Sequence, residues 1–162
     1  LIDTHAHLDF PDFSDDLDAV IGRAEAAGIT RIVTIGTDLE SSRRAIQISE
    51  RHPSVYAVVG WHPGHALMAP PDIRPELKQL AAHPKVVALG ETGLDYHHLP
   101  DGTSASGRQE QERHKARQRD LFEQHLEVAA ETGLNLVIHQ RDCFAQTLET
   151  LRPFADRVRG VF

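Results

Sequence analysis

LIDTHAHLDF, residues 1–10, opens on apolar residues and carries two histidines, His5 and His7, one residue apart. On an extended strand, side chains at i and i+2 project from the same face, about 7 Å apart along the chain. Two imidazoles so placed can converge on one metal ion, at a Zn–N distance of about 2.0–2.1 Å. The pattern recurs twice: Glu91 follows the apolar run VVALG, and His139 ends LNLVIH. Titratable side chains at the carboxyl ends of successive apolar runs are what an α/β protein shows when its βα loops build a site at one rim.

Between these runs the chain alternates strand and helix. Strands are predicted over 1–3, 31–36 (RIVTIG), 55–60 (VYAVVG), 85–90 (KVVALG), 134–139 (LNLVIH) and 158–162 (VRGVF). Helices are predicted over 15–27, closed by Gly28, and over 41–51, with Ser41 as a candidate cap. Three more follow: 75–83 with Pro75 in its first turn, 117–133 closed by Gly133, and 144–153. Continuous apolar strands alternating with helices imply a parallel sheet with right-handed crossovers. A (β/α)₈ TIM barrel needs eight strands and usually about 250 residues. Six strands in 162 residues therefore predict an α/β fold in which only about the first six β/α units of such a barrel are present. The expected organisation is one domain, residues 1–162, forming the N-terminal two-thirds of a barrel. Its first and sixth strands would present open edges and leave Val158, Val161 and Phe162 without covering neighbours, a setting that promotes association.

Composition bounds the function. Hydrophobic residues make up 40% and charged residues 25% of the chain, the balance of an ordinary globule. No run approaches the ~18 apolar residues of a membrane helix, and the sequence starts directly on a strand, so neither membrane association nor a signal peptide is expected. The single cysteine, Cys143, cannot form an internal disulfide. A cytoplasmic protein is the expectation, with Cys143 inert and no stable protein partner. A net charge of −7 argues against broad nonspecific binding to nucleic acid. It leaves a phosphate-bearing substrate open, because a bound cation changes the local field.

The candidate chemistry sits at the strand ends. A carboxylate such as Glu91 at the mouth of a buried strand costs several kcal/mol unless it is paired or metal-bound. Its two oxygens can bridge two cations, and Gly90 and Gly93 allow close backbone approach around it. His139 and Arg141, two residues apart, suit a ligand beside a guanidinium that grips an anionic oxygen; a salt bridge from Arg141 to Asp142 or Glu91 is the alternative. His62 ends the third strand and fits a ligand, a phosphate contact or an orienting group, with substrate contact favoured. Asp95 and Tyr96 are expected only to brace a loop, Asp3 to be hydrogen-bonded at a strand end, and Asp9 to serve in a loop or at a helix start. His52, His65, His83 and His125 read as ordinary polar residues. Residues 97–114 read as a solvated loop, and RHKARQR (113–119) as a solvated helix face.

THAHLDF, RIVTIGTDLESSRRAI, VYAVVGWHPGHA, KVVALGETGLDYH and LNLVIHQRDC, in this order, resemble the TatD family of metal-dependent hydrolases, and the resemblance runs from Leu1 to Phe162. It implies a TIM barrel with a one- or two-metal site and divalent-metal-dependent DNase activity, often 3′–5′ exonucleolytic. By position, His5, His7, Glu91 and His139 take the family's ligand roles, with Glu91 bridging and catalytic; His62 and Arg141 would contact substrate. Two divalent ions (Mg, Mn or Zn) are the implied cofactors, and DNA or another phosphodiester the implied partner. The family's further ligand His, in a His-Cys-Phe block, and a later Asp have no counterpart in residues 1–162, so the chain is expected to be catalytically incomplete alone. A metallo-amidohydrolase or an esterase, such as an aminoacyl-tRNA deacylase, is the alternative on the same barrel. An activated lysine or a long apolar pocket would favour the amidohydrolase, and neither is evident.

Overall fold

The computed structural model describes residues 1–162. Six strands, β1 (Ile2–Ala6), β2 (Arg31–Ile35), β3 (Val55–Val59), β4 (Val86–Asp95), β5 (Asn135–Arg141) and β6 (Gly160–Val161), form one sheet in sequence order. Every neighbouring pair is parallel. The connections carry helices α1 (Leu17–Ala26), α2 (Leu39–Arg51), α3 (Arg74–Ala81), α4 (Ala105–Thr132) and α5 (Phe144–Leu151). The sheet is the curled, open part of a (β/α)₈ barrel.

Alternation along the strands separates two apolar layers. Ala57 and Val59 of β3 join the main cluster, where Leu39, Ile46, Leu77, Phe122 and Leu126 of the helices pack on the sheet. Val58, of opposite parity, joins Ile35 and Ala88, with Val33 and Val137 against them, in a cluster made of strand residues alone. That second layer floors the concave side, beneath the strand ends that carry the titratable groups.

Several boundaries differ from the sequence-based expectation, four of them with consequences. Strand β1 runs to Ala6 instead of ending at Asp3, so His5 lies within it. Strand β4 runs five residues past Gly90, through a register shift between Gly90 and Thr92 and a cis peptide between Gly90 and Glu91. Helix α4 begins at Ala105, so most of the supposed 97–114 loop is helical. Ser104 caps it by accepting the Gly107 N–H at 3.0 Å. The segment 108–119 is rich in good helix formers but polar on every face, so apolar periodicity gives no signal there. Ion pairs Glu110–Arg113, Glu112–Lys115 and Arg117–Asp120 run along its surface. The cap of α2 is Asp38, whose side chain accepts the Ser41 N–H at 2.7 Å; Ser41 instead donates its hydroxyl to Asp9.

At the edges, Val161 is 63% and Phe162 68% exposed, as the open sheet requires. Val158 does not follow: it packs against the main core. No helix is long and apolar enough to cross a membrane.

His125 also departs from expectation. It is fully buried within α4, and its Nδ1–H donates to the Leu121 carbonyl at 2.7 Å. Its Nε2 accepts the Trp61 N–H at 3.0 Å and so ties the end of β3 to α4. Burial pulls its pKa from 6.5 down to about 4. A folded-state value below the unfolded one means that the stability it confers is present above pH 6.5 and lost as pH falls toward 4. His125→Ala should destabilise the fold at neutral pH by roughly 1–3 kcal/mol, the cost of an orphaned buried amide. Urea unfolding from neutral to acid pH should also show a shallower acid loss in the variant than in the parent chain.

Candidate metal centre

Glu91 lies at the centre of the carboxyl-end rim. The backbone around it admits only glycine at two positions. Gly90 has φ +116° and Gly93 φ +140°, and a Cβ on either would strike the Val137 or His139 carbonyl of β5. This close approach lets β4 continue beside β5 and carries the Glu91 side chain in among four imidazoles from three other strand ends.

The two carboxylate oxygens face different pairs. Oε2 lies 3.6 Å from His5 Nε2 and 3.9 Å from His7 Nε2. Oε1 lies 3.2 Å from His139 Nδ1 and 3.9 Å from His62 Nε2. His5, His7 and Glu91 form one group whose ligand atoms all lie within 4.8 Å of one another, and His62, Glu91 and His139 form a second. This donor set, imidazole nitrogens around a shared carboxylate, fits divalent transition ions.

Supporting contacts hold each ring. His7 Nδ1–H donates to the Ile35 carbonyl at 3.1 Å, and its ring stacks on Phe10 at 4.8 Å. His62 Nδ1 accepts the Gly64 N–H at 3.0 Å. The Nε2 of His139 meets Asp95 Oδ2 at 3.0 Å. Asp3 accepts the His5 N–H at 3.1 Å, hydrogen-bonded as expected, but from within β1 rather than at its carboxyl end.

Electrostatics follow from this packing. Burial opposes the charge on Glu91, but the hydrogen bond from His139 and the His62 and His5 rings outweigh it and hold the carboxyl below the usual range. For His139 the hydrogen bond to Glu91 is the main influence, reinforced by Asp95, and the ring's pKa is raised despite burial. Desolvation dominates at His62, which is lowered to about 4. A proton drawn onto His139 Nδ1 marks where positive charge is wanted.

Of the residues singled out from sequence, His5, His7, Glu91, His139 and His62 come together. Arg141 ends β5, exposed, with its carbonyl bonded to the Tyr96 N–H and its guanidinium paired with neither Asp142 nor Glu91. Asp142 pairs with His97 at 2.7 Å instead. Cys143 is buried and its thiol contacts the Leu94 carbonyl. Asp95 is the residue whose importance the sequence understated: it braces the following loop by accepting the His97 and His98 N–H groups, as expected, and it is also buried against His139. Glu91, Gly93 and Asp95 alternate along β4, and that period of two was the available signal.

The sequence model for the TatD-related DNases matches residues 2–162. The chain belongs to that family. It is 36% identical over 162 residues to the uncharacterized metal-dependent hydrolase YabD of Bacillus subtilis strain 168, covering 99% of this chain and 59% of YabD. The 3′–5′ ssDNA/RNA exonuclease TatD of Enterobacter lignolyticus is 32% identical, with 99% of this chain and 57% of the relative covered. The chain thus spans less than three-fifths of these curated relatives. Among solved structures, the TatD homolog YjjV of Escherichia coli K12 superposes with a TM-score of 0.79 at 30% identity, over 95% of this chain and 56% of that one. The TatD family hydrolase from Entamoeba histolytica reaches the same TM-score at 20% identity, with 99% and 56% covered.

A cation at His139 Nδ1 must displace a proton whose affinity Glu91 has raised. Manganese(II) affinity should therefore weaken as pH falls through the raised His139 pKa. In an NMR titration of the metal-free protein, Glu91→Gln should move the His139 midpoint downward, because the largest cause of the rise is removed.

Proposed function

We propose that this protein is a metal-dependent phosphodiesterase of the TatD type, acting on DNA or a related phosphodiester and most consistent with 3′–5′ exonucleolytic cleavage. The observation that carries the proposal is the division of Glu91, one oxygen toward His5 and His7 and the other toward His62 and His139. A carboxylate placed so would bridge two divalent ions, with His5 and His7 on one side and His139 on the other. Bound there, such ions acidify water and offset negative charge on phosphoryl oxygens. Magnesium, manganese and zinc all suit a mixed imidazole–carboxylate set. The nuclease names of relatives at about 32% identity support the choice of a phosphodiester bond.

The chain's own residues divide the remaining work. Glu91 holds the centre together and is the catalytic residue. Arg141, exposed and unpaired at the end of β5, would grip an anionic substrate oxygen, and His62 would contact the same group. Residues 1–162 form one domain, the N-terminal part of the barrel. They carry no counterpart of the further His and Asp donors that the family resemblance implies, so this polypeptide alone is expected to hold at most one ion tightly and to be inactive.

Glu91→Ala, in a protein of the relatives' length, should abolish metal-dependent cleavage of a 3′-labelled oligonucleotide while circular dichroism shows the fold intact. Near-parental turnover would refute the bridging role. Arg141→Ala should lower kcat/KM by about 10–100-fold, the worth of one charge-assisted hydrogen bond, with metal content by elemental analysis unchanged.

A further inference from the structure

We propose that His139 and His62, whose rings meet at 3.2 Å, are held in tautomers that divide their roles: His139 turns a bare nitrogen to the cation, and His62 turns an N–H to an oxygen of the substrate. Asp95 and the Gly64 amide are the positioning groups. The identity of that oxygen as phosphoryl rests on the phosphodiesterase reading; the tautomers do not.

A neutral imidazole has one N–H donor and one acceptor nitrogen, so naming the partner of one nitrogen fixes the other. The partner of His62 Nδ1 is the Gly64 N–H, at 3.0 Å, which can only donate. Nδ1 is therefore bare and the proton is on Nε2. A Cβ at position 64 would stand only 3.0 Å from the same ring nitrogen, so glycine is what lets the amide sit there without crowding the ring. Nε2 is the atom that points into the cluster. A protonated ring nitrogen is not a ligand, so the proximity of His62 to Glu91 and His139 does not make it one.

His139 is fixed in the reverse sense. Its two nitrogens both face carboxylate oxygens, Nε2 at 3.0 Å from Asp95 Oδ2 and Nδ1 at 3.2 Å from Glu91 Oε1. The nearer Asp95 keeps the proton of the neutral ring on Nε2, so Nδ1 is the nitrogen that gives up its proton and turns bare toward a cation. Asp95 is itself immobilised. Its side chain is 4% exposed, and Oδ1 accepts the His97 and His98 N–H groups at 3.0 and 3.4 Å. The Gln118 amide of α4 takes both its backbone groups, accepting from Asp95 N–H at 2.9 Å and donating to its carbonyl at 3.0 Å. His7 supplies an internal comparison: Nδ1–H on the Ile35 carbonyl leaves Nε2 bare toward Glu91, the same sense as His139. With His139 neutral, His7 and His139 thus offer lone pairs to the centre and His62 offers a hydrogen. Where His139 is neutral, the His62 N–H faces its Nδ1 lone pair at 3.2 Å. Once that lone pair is given to a cation, the N–H is left to take a substrate oxygen.

The test uses metal-free protein of the relatives' length, labelled with nitrogen-15 at histidine and observed at alkaline pH, where imidazoles are neutral. Both His62 and His139 should show the Nε2–H form; a proton on Nδ1 of either overturns the proposal. Two affinities then separate the roles, manganese(II) for the protein and inorganic phosphate for its manganese-loaded form. His62→Ala should keep the manganese affinity and weaken phosphate binding about 10–100-fold, one hydrogen bond to a charged group. Asp95→Ala should weaken manganese binding about 10–100-fold, with partial recovery in Asp95→Asn, which keeps an acceptor oxygen. Loss of manganese from a folded His62→Ala protein would show that His62 is a ligand and sink the assignment, as would unchanged phosphate binding. These readouts need no turnover, so they decide the tautomers even where oligonucleotide cleavage fails.

Discussion

The constraint on which the structure turns is one carboxylate, Glu91, held among four imidazoles at 3.2–3.9 Å. A half-buried carboxylate is costly unless positive charge or hydrogen bonds meet it. In the metal-free chain His139 supplies that compensation by binding a proton more readily, and a cation would supply it more fully. Four strand ends, those of β1, β3, β4 and β5, contribute to the cluster, so the site exists only where the parallel sheet brings them to one rim. The tight passage of β4 past β5 at Gly90 and Gly93 is the local backbone condition for that convergence.

Helix α4 is the second condition. Through His125 it fixes the Trp61 amide at the end of β3, one residue before His62. Gln118, two turns earlier on the same helix, fixes Asp95 at the end of β4 and through it His139. Both imidazoles on the Oε1 side of Glu91 are therefore referenced to one rigid element. Holding two imidazoles in fixed orientation against one carboxylate is the physical role of the buried His125 and Gln118 side chains on this helix.

Much of this was legible in the sequence. Apolar runs alternating with helical segments gave the parallel α/β architecture, and strand-end His5, His7, Glu91 and His139 marked the centre. The losses have physical causes. Glycine interrupts strand patterns, so the apolar signal of β4 stops at Gly90 although the Glu91–Gly93–Asp95 alternation carries the strand on to Asp95. The first turns of α4 carry no apolar stripe, so their helicity rests on propensity and surface ion pairs. His125 gives no sign of its burial, since a lone histidine in a helix is normally solvated. The orientation of His62 depends on a backbone N–H, and backbone donors leave no trace in side-chain pattern.

The central claim is that the two oxygens of Glu91 serve two ions. Anomalous diffraction at the manganese edge, from crystals of protein of the relatives' length loaded with manganese(II), tests it most directly. Two peaks are expected, one on each side of the Glu91 carboxylate, with His5 and His7 at one and His139 Nδ1 at the other. A single peak contacted by one Glu91 oxygen, or a pair of peaks that leaves Glu91 uncoordinated, would contradict it.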